Sequence, residues 1–269
     1  MRIIGVMISF TIFLLASCSN DTPAITKIDS SEEEIDQNPE LVEKEVESKN
    51  ESKVKTTIEF YLPEETVVIN LDGVSILKQY LSNVDNKRYV INKMLLTPLE
   101  IPEYESLYLL QFSCENNACS YLLLDQKDEG RSYLVADLAK FRSAIPSQDG
   151  NKLVLVFTRS DDGLTTNKVV PLDINDWETL KLEPFVSDDP DKEAKRRIGD
   201  SEDVEIKEEL VFTDYRWPIS LVKWKDNETL VVTVPDIEKP NKKSLKEWSE
   251  SEKYTREIEL KIDSKEFLQ

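Results

Sequence analysis

Histidine is absent from the chain. That removes Ser-His and Cys-His nucleophile pairs, imidazole general bases and His-ligated zinc. Any catalysis has to rest on carboxylates, Lys, Tyr or Ser. Glycine is scarce too, with six residues scattered singly, so no Gly-rich loop is present to cradle a phosphate. Positive charge is in deficit: 34 basic side chains stand against 53 acidic ones, a net of -19. This excess argues against nucleic acid, whose phosphates would be repelled, and against docking on anionic head groups. It is expected to keep the protein soluble and monomeric. No cofactor motif emerges.

A membrane-spanning run is also lacking. Residues Ile3 to Ser17 carry no charge and follow Arg2, but polar Ser17, Cys18, Ser19 and Asn20 end the run before the roughly 20 apolar residues a spanning helix needs. A short basic start and an apolar stretch make the layout of a secretory signal. The ending Leu15-Ala16-Ser17-Cys18 resembles the lipobox of bacterial lipoproteins: an aliphatic residue, two small residues and the invariant cysteine. The resemblance implies cleavage before Cys18, a diacylglyceryl group on its sulfur, and a membrane partner reached through that lipid anchor. Two or more acyl chains hold a protein to a bilayer stably, whereas one holds it only marginally. The expected location is the extracytoplasmic face of the cell membrane.

Three parts follow: a signal peptide over residues 1–17, a lipidated cysteine with an acidic tether over 18–57, and a β-rich domain over 58–269. Between Ser19 and Thr57 lie eleven acidic and five basic residues, a net of -6, with no aromatic residue. Such a composition buries too little apolar surface to offset its ordering entropy, so a disordered tether is expected. Ser187 to Glu209 is a second charged stretch, read as an exposed excursion with a short helix over Pro190 to Arg197.

From Ile58 the pattern is mainly strand. "TIEFYLPEETVVINL" alternates as two strands about a turn, and "SLYLLQFSC", "CSYLLLD", "SYLVADL", "KLVLVFTR", "NKVVPLDI", "ISLVKW" and "TLVVTV" are runs of strand length. Asp-Gly and Asp-Asn dipeptides punctuate them. Helical spacing marks "DGVSILKQYLSN" and the region of Leu245 to Trp248, with a closing strand after the latter. The fold class is mainly β, an antiparallel meander of hairpins with a few short helices. Two stretches resemble each other: Ala144 to Phe157 and Leu221 to Val234, aligning Asp149 with Asp226 and Leu153 with Leu230. Each is similar to the inner strands of β-propeller blades of the TolB or WD40-like kind, although Gln148 replaces the usual Pro and the second copy lacks the Gly. The resemblance implies a propeller-like arrangement. The copies lie 77 residues apart, against about 40–45 for propeller repeats, so a plain meander of hairpins stands beside it.

Candidate chemistry is sparse. Cys114 and Cys119 are expected to pair as a disulfide across a four-residue loop, since an extracytoplasmic location is oxidising. The small ring is worth about 2 kcal/mol on the chain-entropy model. The "DQKDEG" segment from Asp125 resembles a Ca²⁺ loop but places Lys127 where an oxygen ligand is required. It and "LDINDW" (Asp173, Asn175, Asp176) are read as solvated turns. Tyr215, Trp217, Trp224 and Trp248 are candidate binding aromatics if exposed, and core if buried. At strand spacing Tyr215 and Trp217 share one face. With 53 acids no glycosidase-like pair stands out. The expected function is non-catalytic binding of an envelope protein or glycan. The alternatives are a carboxylate-dependent hydrolase of envelope glycans or an assembly factor for an envelope complex.

The lipid anchor has a direct test. Cys18→Ser should abolish incorporation of a fatty-acid analogue and leave an unprocessed precursor; equal labelling of variant and wild type would remove the anchor.

Overall fold

A computed structural model describes residues 23–29, 38–48, 51–101, 104, 106–127, 131–184 and 211–263. Cys18 and the helix expected over Pro190 to Arg197 lie outside these residues.

The chain is mainly β; among the described residues the strands pair antiparallel throughout and there are three short helices. Sheet 1 contains β1 (Ile25–Asp29), β2 (Glu40–Ser48), β3 (Glu51–Tyr61) and β4 (Glu65–Asn70), in the order β1-β4-β3-β2. Helices α1 (Ser75–Ser82) and α2 (Lys87–Ile91) follow, and Leu77, Leu81 and Ile91 point into the first core.

Then comes a continuous ladder: β5 (Leu95–Pro98), β6 (Leu107–Glu115), β7 (Ala118–Asp125), β8 (Ser132–Pro146), β9 (Lys152–Asp161), β10 (Leu164–Asp173) and the two-residue β11 (Glu178–Thr179). The ladder folds over at β8. Ser132 to Ala139 pair with β7, whereas Lys140 to Pro146 pair with β9. At the change Leu138 takes a φ of 44° and the register with β7 slips. A strand that bends at a bulge in this way is how one sheet passes into another packed against it. Sheet 2 is therefore β5, β6, β7 and the first half of β8; sheet 3 is the second half of β8 with β9, β10 and β11. Sheet 4 has the order β12 (Lys181–Pro184), β15 (Thr255–Asp263), β14 (Thr229–Pro235), β13 (Leu221–Trp224). Helix α3 (Lys242–Glu250) lies between β14 and β15, capped by the Asn241 side chain.

Three cores join the four sheets in series. The first packs Ile25, Ile58, Phe60, Val67 and Ile69 of sheet 1 against Tyr108, Leu110, Phe112, Leu122 and Leu124. The second packs Leu107, Leu109, Tyr121 and Leu123 with Leu153, Leu155, Phe157, Val170 and Leu172. The third packs Val154, Val156 and Val169 against Leu230, Val232, Val234, Leu260 and Ile262. Alternate residues of β6 and β9 enter different cores, which is why these strands read as unbroken apolar runs.

Order extends into the segment expected to be a tether. Residues Ile25–Asp29, Glu40–Ser48 and the start of β3 are strands, so the boundary at residue 58 does not separate a structured from an unstructured part. Ala24 and Ile25 are buried, and burying one such Ile side chain contributes about 1.5–3 kcal/mol. Ala24 O accepts from Asn70 N at 2.6 Å. Gly73 is needed beside it, since a Cβ there would overlap the Cα and Cβ of Ala24. Lys27 forms an ion pair with Glu65, and buried Tyr108 donates its hydroxyl to the same carboxylate at 2.9 Å. Composition misleads because β1 and β2 are the two edge strands of sheet 1, and charged residues are what edge strands carry.

The paired stretches of the sequence analysis become the hairpins β8–β9 and β13–β14. Leu153 and Leu230 are both fully buried. Their turns touch: Asp149 N donates to Asn227 Oδ1 at 3.2 Å, and Trp224 Nε1 donates to Ile145 O at 3.0 Å.

A chain beginning at Ile58 lacks β1, β2 and most of β3 and exposes the first core. It should lose the cooperative thermal transition of the longer chain. A fragment that melts like the whole would restore the tether.

Candidate functional site

An open depression of about 580 Å³ lies where β8 leaves sheet 2 for sheet 3. Its volume falls in the range of small-molecule sites. Buried Leu109, Cys119 and Tyr121, which belong to the second core, form its floor. Its rim carries exposed Leu95 and Thr97 of β5, Asn116 and Asn117 of the β6–β7 turn, and Lys93 and Lys140.

Local chemistry explains the shape. The β6–β7 connection is a two-residue turn, not the expected four-residue loop: Asn116 and Asn117 take φ values of 50° and 63°. Asparagine tolerates this left-handed region, and two such residues close a tight hairpin whose twist matches the strands. Cys114 and Cys119 therefore face each other across the hairpin, with Cα atoms 4.0 Å apart and Sγ atoms at bonding distance.

Below the rim, hydrogen bonds lock the polar groups. Tyr121 donates its hydroxyl to Gln111 Oε1 at 3.2 Å and accepts from Phe141 N at 3.0 Å. Gln111 Nε2 donates to Cys114 Sγ at 3.4 Å. Burial raises the Tyr121 phenol above its ordinary value, and the Phe141 N–H works against the shift. Lys93 sits over the Tyr89 ring and donates to its hydroxyl at 2.5 Å. Among the described residues, the Lys140 ammonium and the Asn116 and Asn117 amides bond to no other side chain. Among the described residues no carboxylate lines the depression. The result is a fixed apolar and aromatic floor beneath free donors, suited to holding a polar ligand.

The candidate aromatics do not converge. Trp217 is fully buried in the third core beside Phe212. Trp224 packs on the same core. Trp248 donates its indole N–H to Tyr254 O at 2.7 Å. Tyr215 packs on the second core under the Arg159 guanidinium, 4.1 Å from its ring centroid. Tyr215 and Trp217 do not share a face, because Tyr215 has a φ of 61° and the segment is no strand. That segment instead shields the open edge of β10: Val169 N donates to Phe212 O and Asn167 N to Trp217 O, each at 2.8 Å. Arg142 ties it down with bonds of 2.6 Å to Ile219 O and Ser220 O.

Asp125 is not a solvated turn residue. It is 1 % exposed and accepts from Tyr104 (2.8 Å), Ser106 (3.0 Å), Trp177 Nε1 (3.2 Å) and Lys127 N (2.9 Å). Strand alternation carried the signal, since Tyr121, Leu123 and Asp125 fall on one face. Asp173 does form a turn, accepting from Asn175 N and Asp176 N. Among the described residues no group of three or more Cys, Asp or Glu is placed to hold a metal ion. Comparison with known protein families, with curated proteins and with solved structures returns no match.

The Asp125 node sets a pH dependence. Burial, then the bond to Asp125, pushes the Tyr104 phenol up to about 12. An unfolded tyrosine ionises near 10, at about its reference value. The folded pKa is the higher, so this contribution to stability is whole below about pH 10 and is lost as pH rises through about 12. Tyr104→Phe should flatten the alkaline fall of the denaturation midpoint. Asp125→Ala, which strands three side-chain donors, should cost about 3 kcal/mol at neutral pH. Urea titration checks both, and an unchanged midpoint for Asp125→Ala would remove the node.

Proposed function

We propose that this chain is a membrane-anchored cell-envelope lipoprotein whose β-rich domain binds a ligand, without transforming it, in the depression beside the Cys114–Cys119 hairpin. The supporting observation is the lining itself: free ammonium and amide donors above a rigid aromatic floor, with no carboxylate among the described lining residues. Glycoside hydrolysis uses two carboxylates flanking the scissile bond, so the lining favours binding over the hydrolase alternative. Paired cysteines fit an oxidising location outside the cytosol.

The anchor holds the domain close. β1 begins at Ile25, seven residues after Cys18, and seven extended residues reach at most about 25 Å. The domain works near the bilayer surface, and its ligand is one found there.

The test is to fill the site. Thr97 is exposed on the rim, and Thr97→Trp should leave the melting temperature intact while abolishing retention of an envelope component by the full chain in detergent. Equal retention by variant and wild type would overturn the assignment of binding to this depression.

A further inference from the structure

The geometry points to an acidic oligosaccharide, bearing carboxylate or phosphate, as the ligand of the depression; this rests on the proposed binding role of that site. Three features select the class. The first is charge. The chain carries a net -19, yet among the described residues its depression is lined by Lys93 and Lys140 and by no acid. Net repulsion of anions is screened beyond about 8 Å at physiological salt, so two lysines at the rim dominate at contact. The Lys140 ammonium has no other partner among the described residues, so an anion there displaces water and breaks no bond within the protein.

The second feature is the pairing of donors with acceptors. Asn116 and Asn117 each offer a side-chain carbonyl and an NH₂, and Thr97 offers a hydroxyl that both donates and accepts. Sugar hydroxyls likewise do both, whereas an anion such as sulfate only accepts. The backbone that carries the amides is fixed in the two-residue turn, and the cysteines behind it lie at bonding distance. The ordering cost on binding then falls on the side chains and not on the backbone. The third feature is apolar. Phe141 and exposed Leu95 present carbon surface of the kind that covers the C–H face of a pyranose ring, a use aromatic side chains share with their packing role. An acidic peptide would meet the lysines equally well but would leave the paired amide and hydroxyl groups less well matched.

The test uses the full chain in detergent micelles and four probes: trigalacturonate, maltotriose phosphate, neutral maltotriose and hexaglutamate. Affinity is read by calorimetry, and occupancy by protection of Lys93 and Lys140 from acetylation, mapped by mass spectrometry. One or both acidic sugars should bind and protect Lys140, and which of them binds distinguishes carboxylate from phosphate. Lys140→Glu should weaken that binding by about tenfold or more, the loss expected for one charge-assisted bond. Maltotriose and hexaglutamate should bind at least about tenfold more weakly. Equal binding of maltotriose with Lys140 protected would overturn the acidic character while leaving the depression a binding site. Equal binding of hexaglutamate would overturn the sugar. If neither acidic sugar protects Lys140, the inference fails whatever the Thr97→Trp retention assay shows, and that assay alone decides the fate of the site.

Discussion

Strand β8 belongs to two sheets, and the rest of the architecture depends on that. Its first half completes the ladder with β7 and its second half starts the ladder with β9. The bend at Leu138 turns what hydrogen bonding makes one sheet into two facing layers. Each layer then has an inner face, filled by the second core, and an outer face left apolar. Sheets 1 and 4 cover those outer faces. Without the bend, β6 and β9 would be apolar on both faces with nothing to bury one of them.

Polar groups hold the layers in register where apolar packing alone would let them slide. Asp125 ties the end of β7 to Tyr104, to the start of β6 and to Trp177 beyond β10. Glu65 joins β1, β4 and β6 through Lys27 and Tyr108. Arg142 fastens the segment before β13 onto sheet 3. Asp125 and Glu65 are buried, and removing either would strand its donors. The depression arises from the same bend. As β8 departs from β7, the floor residues of the second core are left open on one side, and the β6–β7 turn and Lys140 become its rim.

Much of the fold was legible in the sequence. Alternation and turn dipeptides located β3, β4, β6 to β10, β13 and β14, and helical spacing located α1 and α3. These are the elements with strong periodicity. What escaped was the element whose partner supplies the burial: β1 and β2 are charged edge strands, and β5, β11 and β12 are too short to show a period. Long-range pairing, not local preference, makes them strands. The site was less legible. The aromatics singled out proved to be packing residues and an edge cover, because a φ of 61° at Tyr215 breaks the alternation that places side chains. The depression draws on β5, the β6–β7 turn and β8, and its free lysine and amides look like ordinary surface until the bend gathers them. The Asn116-Asn117 pair was visible as a turn, but nothing local marks it as a rim.

The serial stacking of the sheets has a consequence for motion. Sheets 2 and 3 are covered on both faces, while sheets 1 and 4 each rest on one neighbour, and no buried cluster among the described residues joins the first sheet to the fourth. Coupling in such an array passes only between neighbours, as in a repeat protein. Local opening then follows a gradient, with amide hydrogens of β1, β2, β12 and β13 exchanging soonest and those of β6, β7, β9 and β10 only when the whole array comes apart. The depression, built on β5 to β8, sits on the slow-exchanging side of that gradient.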